Sequence, residues 1–282
     1  MIDQNNPNPD PKFRMRDNLL GLTPVNNRVL PFQGFSNFRD LGGYPTVEGR
    51  QTKWKALYRS GHLAKGTSKD LEILTGLGIH TLVDFRSDRE RDRYPNLLPE
   101  GNNFRVISLP IQEEGGPPLA REVRALIKDR ALKGHDPSEM MQEMYRQLAA
   151  DFQEAYRQFF QALLEAEGRP VLWHCSAGKD RTGFAAALLL RLLGVDDQIA
   201  LSDYLLSQEH VDINQRQMLT LGLMRGPRAA RFVRRMHDVD QSWLETAFQS
   251  INEHWGDFNQ YVKEALGLSF GDINQLREYY LE

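Results

Sequence analysis

Apolar positions along this chain fall into short blocks, and the clearest of them ends at a cysteine. Pro170-Val-Leu-Trp173 runs straight into HCSAGKDRTG (174–183), and FAAALLLRLLG (184–194) runs out of it. That order predicts a buried strand, a tight loop and a helix. IHTLVDF (79–85) and FRVISLP (104–110) predict two more strands. Thr67 followed by SKDLEILTGLG, with acid in the first turn and Gly76 and Gly78 at its end, predicts a helix before them. Upstream, TKWKALYRS (52–60) alternates like a strand, with turn signals at Gly42-Gly43 and Glu48-Gly49, which gives a hairpin or a pair of edge strands. Strand–helix–strand order gives an α/β fold: a central mixed, mostly parallel sheet flanked by helices.

The remaining blocks read as helices. IQEEGGPP (111–118) is a polar loop. REVRALIKDRALKG (121–134) predicts one helix, and 136–168 a second, long and amphipathic, opened by Asp136-Pro137-Ser138. Within it, Met140, Met141, Met144 and Tyr145 are candidates for an apolar cover over a site, which makes 111–150 a candidate helical lid. Residues 196–222 read as helix, and 240–282 as two or three amphipathic helices. RGPRAARFVRRM (225–236) places Arg228, Arg231, Arg234 and Arg235 at helical spacing. The ordinary reading of such a strip is a solvated face paired with carboxylates; the sharper one is a docking strip for a polyanion.

The 282 residues contain no Gly/Ser-rich or Pro-rich interior linker, so 31–282 is expected as one domain after an Asn/Pro-rich, disordered or extended tail at 1–30. A net charge of −3 gives no overall pull toward nucleic acid or anionic membranes. A single cysteine leaves no internal disulfide and fits a reducing compartment. The N-terminus lacks the apolar core of a signal peptide and no stretch is long enough to span a bilayer, so a cytoplasmic location is expected, with export by a route needing no such peptide still compatible. The seven histidines show no ligand spacing, so neither a metal nor another cofactor is expected.

The chemistry concentrates in the loop. A short loop feeding a helix N-terminus turns successive N–H groups inward, at the positive end of the helix dipole, and forms an anion-sized nest. Ser176, Ala177, Gly178, Lys179, Asp180 and Arg181 would line it; Ala177 and Gly178 keep it open, and Gly178 accepts a positive φ. Arg181 can lay its planar fork on two phosphate oxygens. The same donors stabilise a thiolate on Cys175, which is then equipped for in-line attack on phosphorus. A Walker-type nucleotide loop is excluded, since it needs Gly at 173 and Ser or Thr at 180, where Trp173 and Asp180 stand. Asp238-Val-Asp240 follows no buried strand, which argues against an aspartyl-phosphate site. A sulfurtransferase also uses a loop cysteine, but Arg181-Thr182-Gly183 at this distance favours phosphate. A non-catalytic phosphate-binding module remains the alternative from another class.

Cysteine, five residues, then Arg and Thr, preceded by His, is the signature of the cysteine-dependent tyrosine phosphatases. With NFRDLGGY (37–44), YRSGHL (58–63), VDFRSDRE (83–90) and the ending WGDFNQYVKEALGL…LREYYLE, the chain over 34–282 resembles their bacterial atypical tyrosine and dual-specificity branch. The resemblance implies a dual-specificity-like fold. It also implies phosphotyrosine, phosphoserine and phosphothreonine proteins as substrates, with phosphoinositides for some members; some family members carry a helical lid. It implies that Cys175 is the nucleophile and Arg181 the phosphate clamp, that His174 orders the loop, and that Thr182 donates to the thiolate. The acid is less direct. No Trp-Pro-Asp sequence occurs, and the place about thirty residues before the cysteine is the predicted helix around Glu143–Leu148. Asp180 is the first choice, because members with this loop carry Asp there, with Asp84 and Asp88 behind it; the bland role of Asp180 is charge stabilisation of the helix start. Lys179 is expected to add positive charge at the rim, as in lipid phosphatases, while their other basic position is Ser176 here. Arg39 and Asp40 are read either as an internal ion pair or as neighbours of the loop.

Overall fold

Among the described residues, five short strands form a single sheet in the order β1-β2-β5-β3-β4: β1 (Arg39–Asp40), β2 (Leu57–Ser60), β3 (Thr81–Asp84), β4 (Arg105–Ser108) and β5 (Val171–His174). The protein is described by a computed structural model covering residues 28–101, 103–111, 123, 125–128, 131–211 and 215–282. β1 pairs antiparallel with β2, which makes the expected antiparallel edge; β2, β5, β3 and β4 are all parallel. The mixed, mostly parallel sheet is thus present, with the cysteine strand at its centre, where both faces are covered.

The period of two along β5 divides the core. Val171 and Trp173 join the main apolar cluster with Phe159, Phe160, Phe184 and Leu188, while Leu172 packs on the other face with Leu82, Tyr58, Phe38 and Leu74. Each such side chain stabilises the fold by roughly 1.5–3 kcal/mol relative to exposure. On the second face lies α1 (Ser68–Gly76), started by a capping box between Thr67 and Asp70. A second capping box, Ser87 with Glu90, starts the short α2 (Asp88–Arg93) directly after β3.

The predicted long helix at 136–168 is two helices, α3 (Pro137–Ala150) and α4 (Gln153–Ala166), broken at Asp151-Phe152. No Gly or Pro marks the break. Its cause is tertiary: α3 lies against α9 (Gln241–Trp255), α4 against β3 and α11 (Phe270–Tyr280), and Phe152 packs on the main core between them. Met141, Tyr145, Leu148 and Ala149 of α3 are buried in that core, so this half of the candidate lid is a wall of the molecule. Residues 112–122 lie outside the described residues, as does the tail before Arg28.

After β5 come α5 (Asp180–Leu192), buried almost all round, and α6 (Asp197–His210). Then follow α7 (Gln215–Arg225), α8 (Pro227–His237), α9, α10 (Phe258–Glu264) and α11. No helix among the described residues is long and apolar enough to cross a membrane.

Candidate active site

The loop between β5 and α5 is shaped by what holds its carbonyls. The Ser176 carbonyl accepts from the backbone N–H of His62 (3.1 Å), and the Gly178 carbonyl from Asn37 Nδ2 (2.8 Å) and Arg59 Nη2 (2.8 Å); Asn37 also reaches the Ala177 carbonyl (3.3 Å). With these carbonyls drawn outward, the N–H groups of 176–180 make no bond to another described residue and remain for a ligand at the α5 N-terminus. Gly178 has φ +70°, and a Cβ there would lie 2.4 Å from the Ser60 carbonyl group, so only glycine lets the loop sit this close to β2. Cys175 lies at the start of this nest, 2% exposed.

Arg181, in the first turn of α5, is gripped end-on by Glu90 of α2. Nη1 and Nη2 donate to the two carboxylate oxygens at 2.9 Å each, and Nη1 also reaches the Phe85 carbonyl (3.2 Å). Ser176 Oγ donates to the same carboxylate. A guanidinium held at its end keeps the Nε–H edge for a second oxyanion. Burial works against the Glu90 charge, but the hydrogen bonds and charge of Arg181, with hydrogen bonds from the Ser176 hydroxyl and the Ser87 backbone N–H, hold its pKa well below the usual carboxylate range. Glu90 lies inside the motif VDFRSDRE, yet sequence reasoning passed over it for Asp84 and Asp88; the signal that marks it is the Ser-x-x-Glu capping box. Asp88 itself is exposed and pairs with Arg91.

Asp84 faces His174 because β3 and β5 pair in register there. Both of its oxygens are occupied: Oδ1 accepts from the backbone N–H and Nε of Arg86, and Oδ2 from Nε and Nη2 of Arg86 and from Asn96 Nδ2. A carboxylate so used has neither oxygen left to carry a proton to a substrate. Burial pushes the His174 pKa down to about 4, and Asp84 at 3.4 Å offsets this only in part, since Arg86 already takes its charge. Neutral His174 then donates from Nδ1 to the Cys175 carbonyl (3.1 Å) and accepts at Nε2 from Asn96 (3.2 Å).

A neutral buried histidine makes stability depend on pH. The folded protein binds fewer protons at His174 than the unfolded chain between its ordinary value of 6.5 and about 4. Stability from this group is therefore complete above pH 6.5 and lost as pH falls toward 4, by about 2 kcal/mol between pH 7 and pH 5. His210, also pushed down to about 4 by burial, acts in the same direction. Urea unfolding at pH 7 and pH 5 measures this, and a His174→Gln variant should show a shallower pH slope than wild type.

Lys179 does not stand at the rim. It is 4% exposed, and Nζ donates to Asp180 Oδ1 (2.8 Å) and to the carbonyls of Met236 (3.1 Å) and Asp238 (3.2 Å) at the carboxyl end of α8, over the Trp243 ring. Asp180 Oδ1 also accepts from Tyr145 Oη (2.9 Å), which contacts Tyr204 Oη (2.7 Å). Asp180 Oδ2 accepts no hydrogen bond from a described residue. Thr182 Oγ1 is buried without a hydrogen-bond partner among the described residues, so its expected bond to Cys175 is not made in this state.

Behind the loop lies a buried ionic brace. Arg39 and Arg59 converge on Asp203 of α6: Arg59 Nη1 at 2.6 Å from Oδ2, Arg39 Nε at 3.4 Å from Oδ1, with Tyr44 Oη donating to Oδ1 (3.0 Å). Arg39 in turn donates to Asn37 Oδ1, aiming the amide at the Gly178 carbonyl. Burial, then the neighbouring charge of Arg59, pushes Arg39 down to about 10, with Asp203 pulling it back. Asp40 is not the partner of Arg39; it caps the backbone N–H groups of Gly42 and Lys55. So Arg39 is both ion-paired and one residue removed from the loop.

A family model described as the tyrosine phosphatase family matches residues 30–282 of this sequence. The chain belongs to that family. It is accordingly a phosphatase, a hydrolase of phosphoric monoesters. A Cupriavidus necator protein whose name assigns it to the tyrosine-protein phosphatases is 37% identical over 261 residues, covering 89% of this chain and 88% of its own. The triple specificity protein phosphatase PtpB of Mycobacterium tuberculosis is 31% identical over 278 residues, covering 89% of this chain and 97% of its own. Among solved structures, P. aeruginosa TpbA is similar at 23% identity, covering 70% of this chain and 89% of that one with a TM-score of 0.29.

Proposed function

We propose that this phosphatase works through a cysteinyl-phosphate intermediate, with phosphotyrosine as main substrate and phosphoserine, phosphothreonine and phosphoinositides accepted beside it. The observation that carries the reading is the outward hold on the 176–178 carbonyls beside an Arg181 already gripped at one end. Cys175 Sγ attacks phosphorus as the substrate oxygen leaves, and Asp180 Oδ2 gives that oxygen its proton. Water, deprotonated by the same carboxylate, then displaces the thiolate. The loop N–H groups and the Nε edge of Arg181 bind the three equatorial oxygens in both steps. Thr182, whose hydroxyl has no other partner among the described residues, donates to the departing thiolate in the second step. His174 touches no substrate and fixes the Cys175 peptide.

Phosphoproteins rank before lipids because Lys179, the basic residue of the loop, is engaged with Asp180 and α8. One relative is named a tyrosine-protein phosphatase and another a triple specificity protein phosphatase, names in keeping with action on phosphoproteins. The proton donor is tested by leaving group. Asp180→Asn should slow phenyl phosphate hydrolysis by roughly 10²–10⁴-fold, and nitrophenyl phosphate, whose leaving group needs no proton, far less. Equal slowing of both removes Asp180 from the role. Side-by-side turnover of phosphopeptides and short-chain phosphoinositides ranks the substrates; faster turnover of the lipids would put them ahead of phosphoproteins and overturn this ranking.

A further inference from the structure

Helices α7 and α8 carry a surface that the phosphatase reaction does not use. Between Ile213 and His237 there are six arginines, at 216, 225, 228, 231, 234 and 235, and no acidic residue, in a chain of net charge −3. The inner face of the pair is accounted for: Ala229, Phe232, Val233 and Leu221 pack with Val123, Leu126 and Leu132. Gly222 and Ala230 bring the two helices close, since a Cβ on Gly222 would lie 3.6 Å from that of Ala230. The outer face holds Arg228, Arg231 and Arg234 along α8, all exposed. Along α7 it holds Leu219, Leu223 and Met224, 66%, 80% and 70% exposed, three of the eight large exposed apolar side chains among the described residues. Arg235 is paired, with Asp238 and Asp240; Arg216, Arg225, Arg231 and Arg234 have no carboxylate partner among the described residues.

A merely solvated helix pair would not expose leucine and methionine at i, i+4 and i+5 beside unpaired arginines. A polyanion in solution accounts for the arginines but not for Leu219, Leu223 and Met224. One environment takes both: the headgroup layer of an anionic bilayer, where guanidinium groups meet phosphates and apolar tips enter the acyl boundary. We propose that α7 and α8 form a docking surface for anionic membranes. The carboxyl end of α8 is tied to Lys179 of the catalytic loop, so docking by this surface brings the active site to the lipid surface. Binding at this surface does not depend on how the phosphatase reaction proceeds.

Co-sedimentation of the full chain with vesicles tests it, comparing pure phosphatidylcholine with mixed phosphatidylcholine and phosphatidylserine. Wild type should bind the mixed vesicles at least about tenfold more tightly than the neutral ones, with binding weakened by salt. R231E/R234E and L223D/M224D should each weaken that binding by about tenfold or more. Both should keep nitrophenyl phosphate turnover within about twofold of wild type, which shows that they fold. Absence of wild-type binding, equal binding to neutral vesicles, or binding untouched by either variant would overturn the proposal. Loss with R231E/R234E alone, with L223D/M224D unaffected, would also overturn it and leave a polyanion site without lipid insertion.

Discussion

Cys175→Ser takes nitrophenyl phosphate turnover down by roughly 10⁴-fold or more while phosphate still binds. The hydroxyl is a far weaker nucleophile than a thiolate, and the nest N–H groups cannot ionise it near neutral pH. The loop should survive the change, because its shape depends on the bonds from Asn37, Arg59 and His62 to its carbonyls and not on the sulfur. The affinity of the variant for inorganic phosphate should therefore stay within a few-fold of wild type. Assays run with chelator present isolate the sulfur from any metal contribution. Residual turnover within tenfold of wild type would remove Cys175 as the nucleophile.

The second large effect lies outside the loop. Asp203→Ala strips the carboxylate from two guanidiniums, of Arg39 and Arg59, that are both fully buried. Breaking a buried pair from one side leaves uncompensated charge and costs about 3–5 kcal/mol, and here one carboxylate serves two partners. The same residue anchors the arginines that aim Asn37 and Arg59 at the Gly178 carbonyl, so activity should fall with stability. Asp203→Asn keeps one acceptor oxygen for Arg59 and turns its NH2 toward Tyr44, whose hydroxyl can accept; it should retain more of both activity and stability, which serves as the comparison if the alanine variant does not fold. Denaturant unfolding reads the stability term; a loss under about 1 kcal/mol would show that the brace is dispensable.

The brace also shows where reading the sequence stops. Cys175 to Arg181 is legible because the whole nest is contiguous: strand, small-residue loop and helix start follow each other in ten residues. The parallel sheet is legible for the same reason, each strand being a separate apolar block. Asp203 is not, since 164 residues separate it from Arg39 along the chain and nothing local in ALSDYLL marks it as charged and buried. The motif NFRDLGGY pointed to the right stretch, but only packing decides that Asn37 and Arg39 face the loop while Asp40 caps its own turn. Lys179 misled for a related reason: a lysine in a loop reads as exposed until the carbonyl end of α8 is known to lie over it. The break at Asp151-Phe152 follows from the separate partners of α3 and α4, which no breaker residue records. Glu90 was within reach, as a capping-box glutamate one turn past a strand end.

In the proposed reaction a phosphoryl group passes through the sulfur of the single cysteine in the chain. Rapid quenching during nitrophenyl phosphate turnover, with chelator present, followed by peptide mass spectrometry, tests this without reference to rates. One phosphoryl group on the peptide containing Cys175, present in wild type and absent from Cys175→Ser, is the expected result. A phosphoryl group on any other side chain, or turnover with no covalent intermediate when Thr182→Val is used to slow its breakdown, would contradict it.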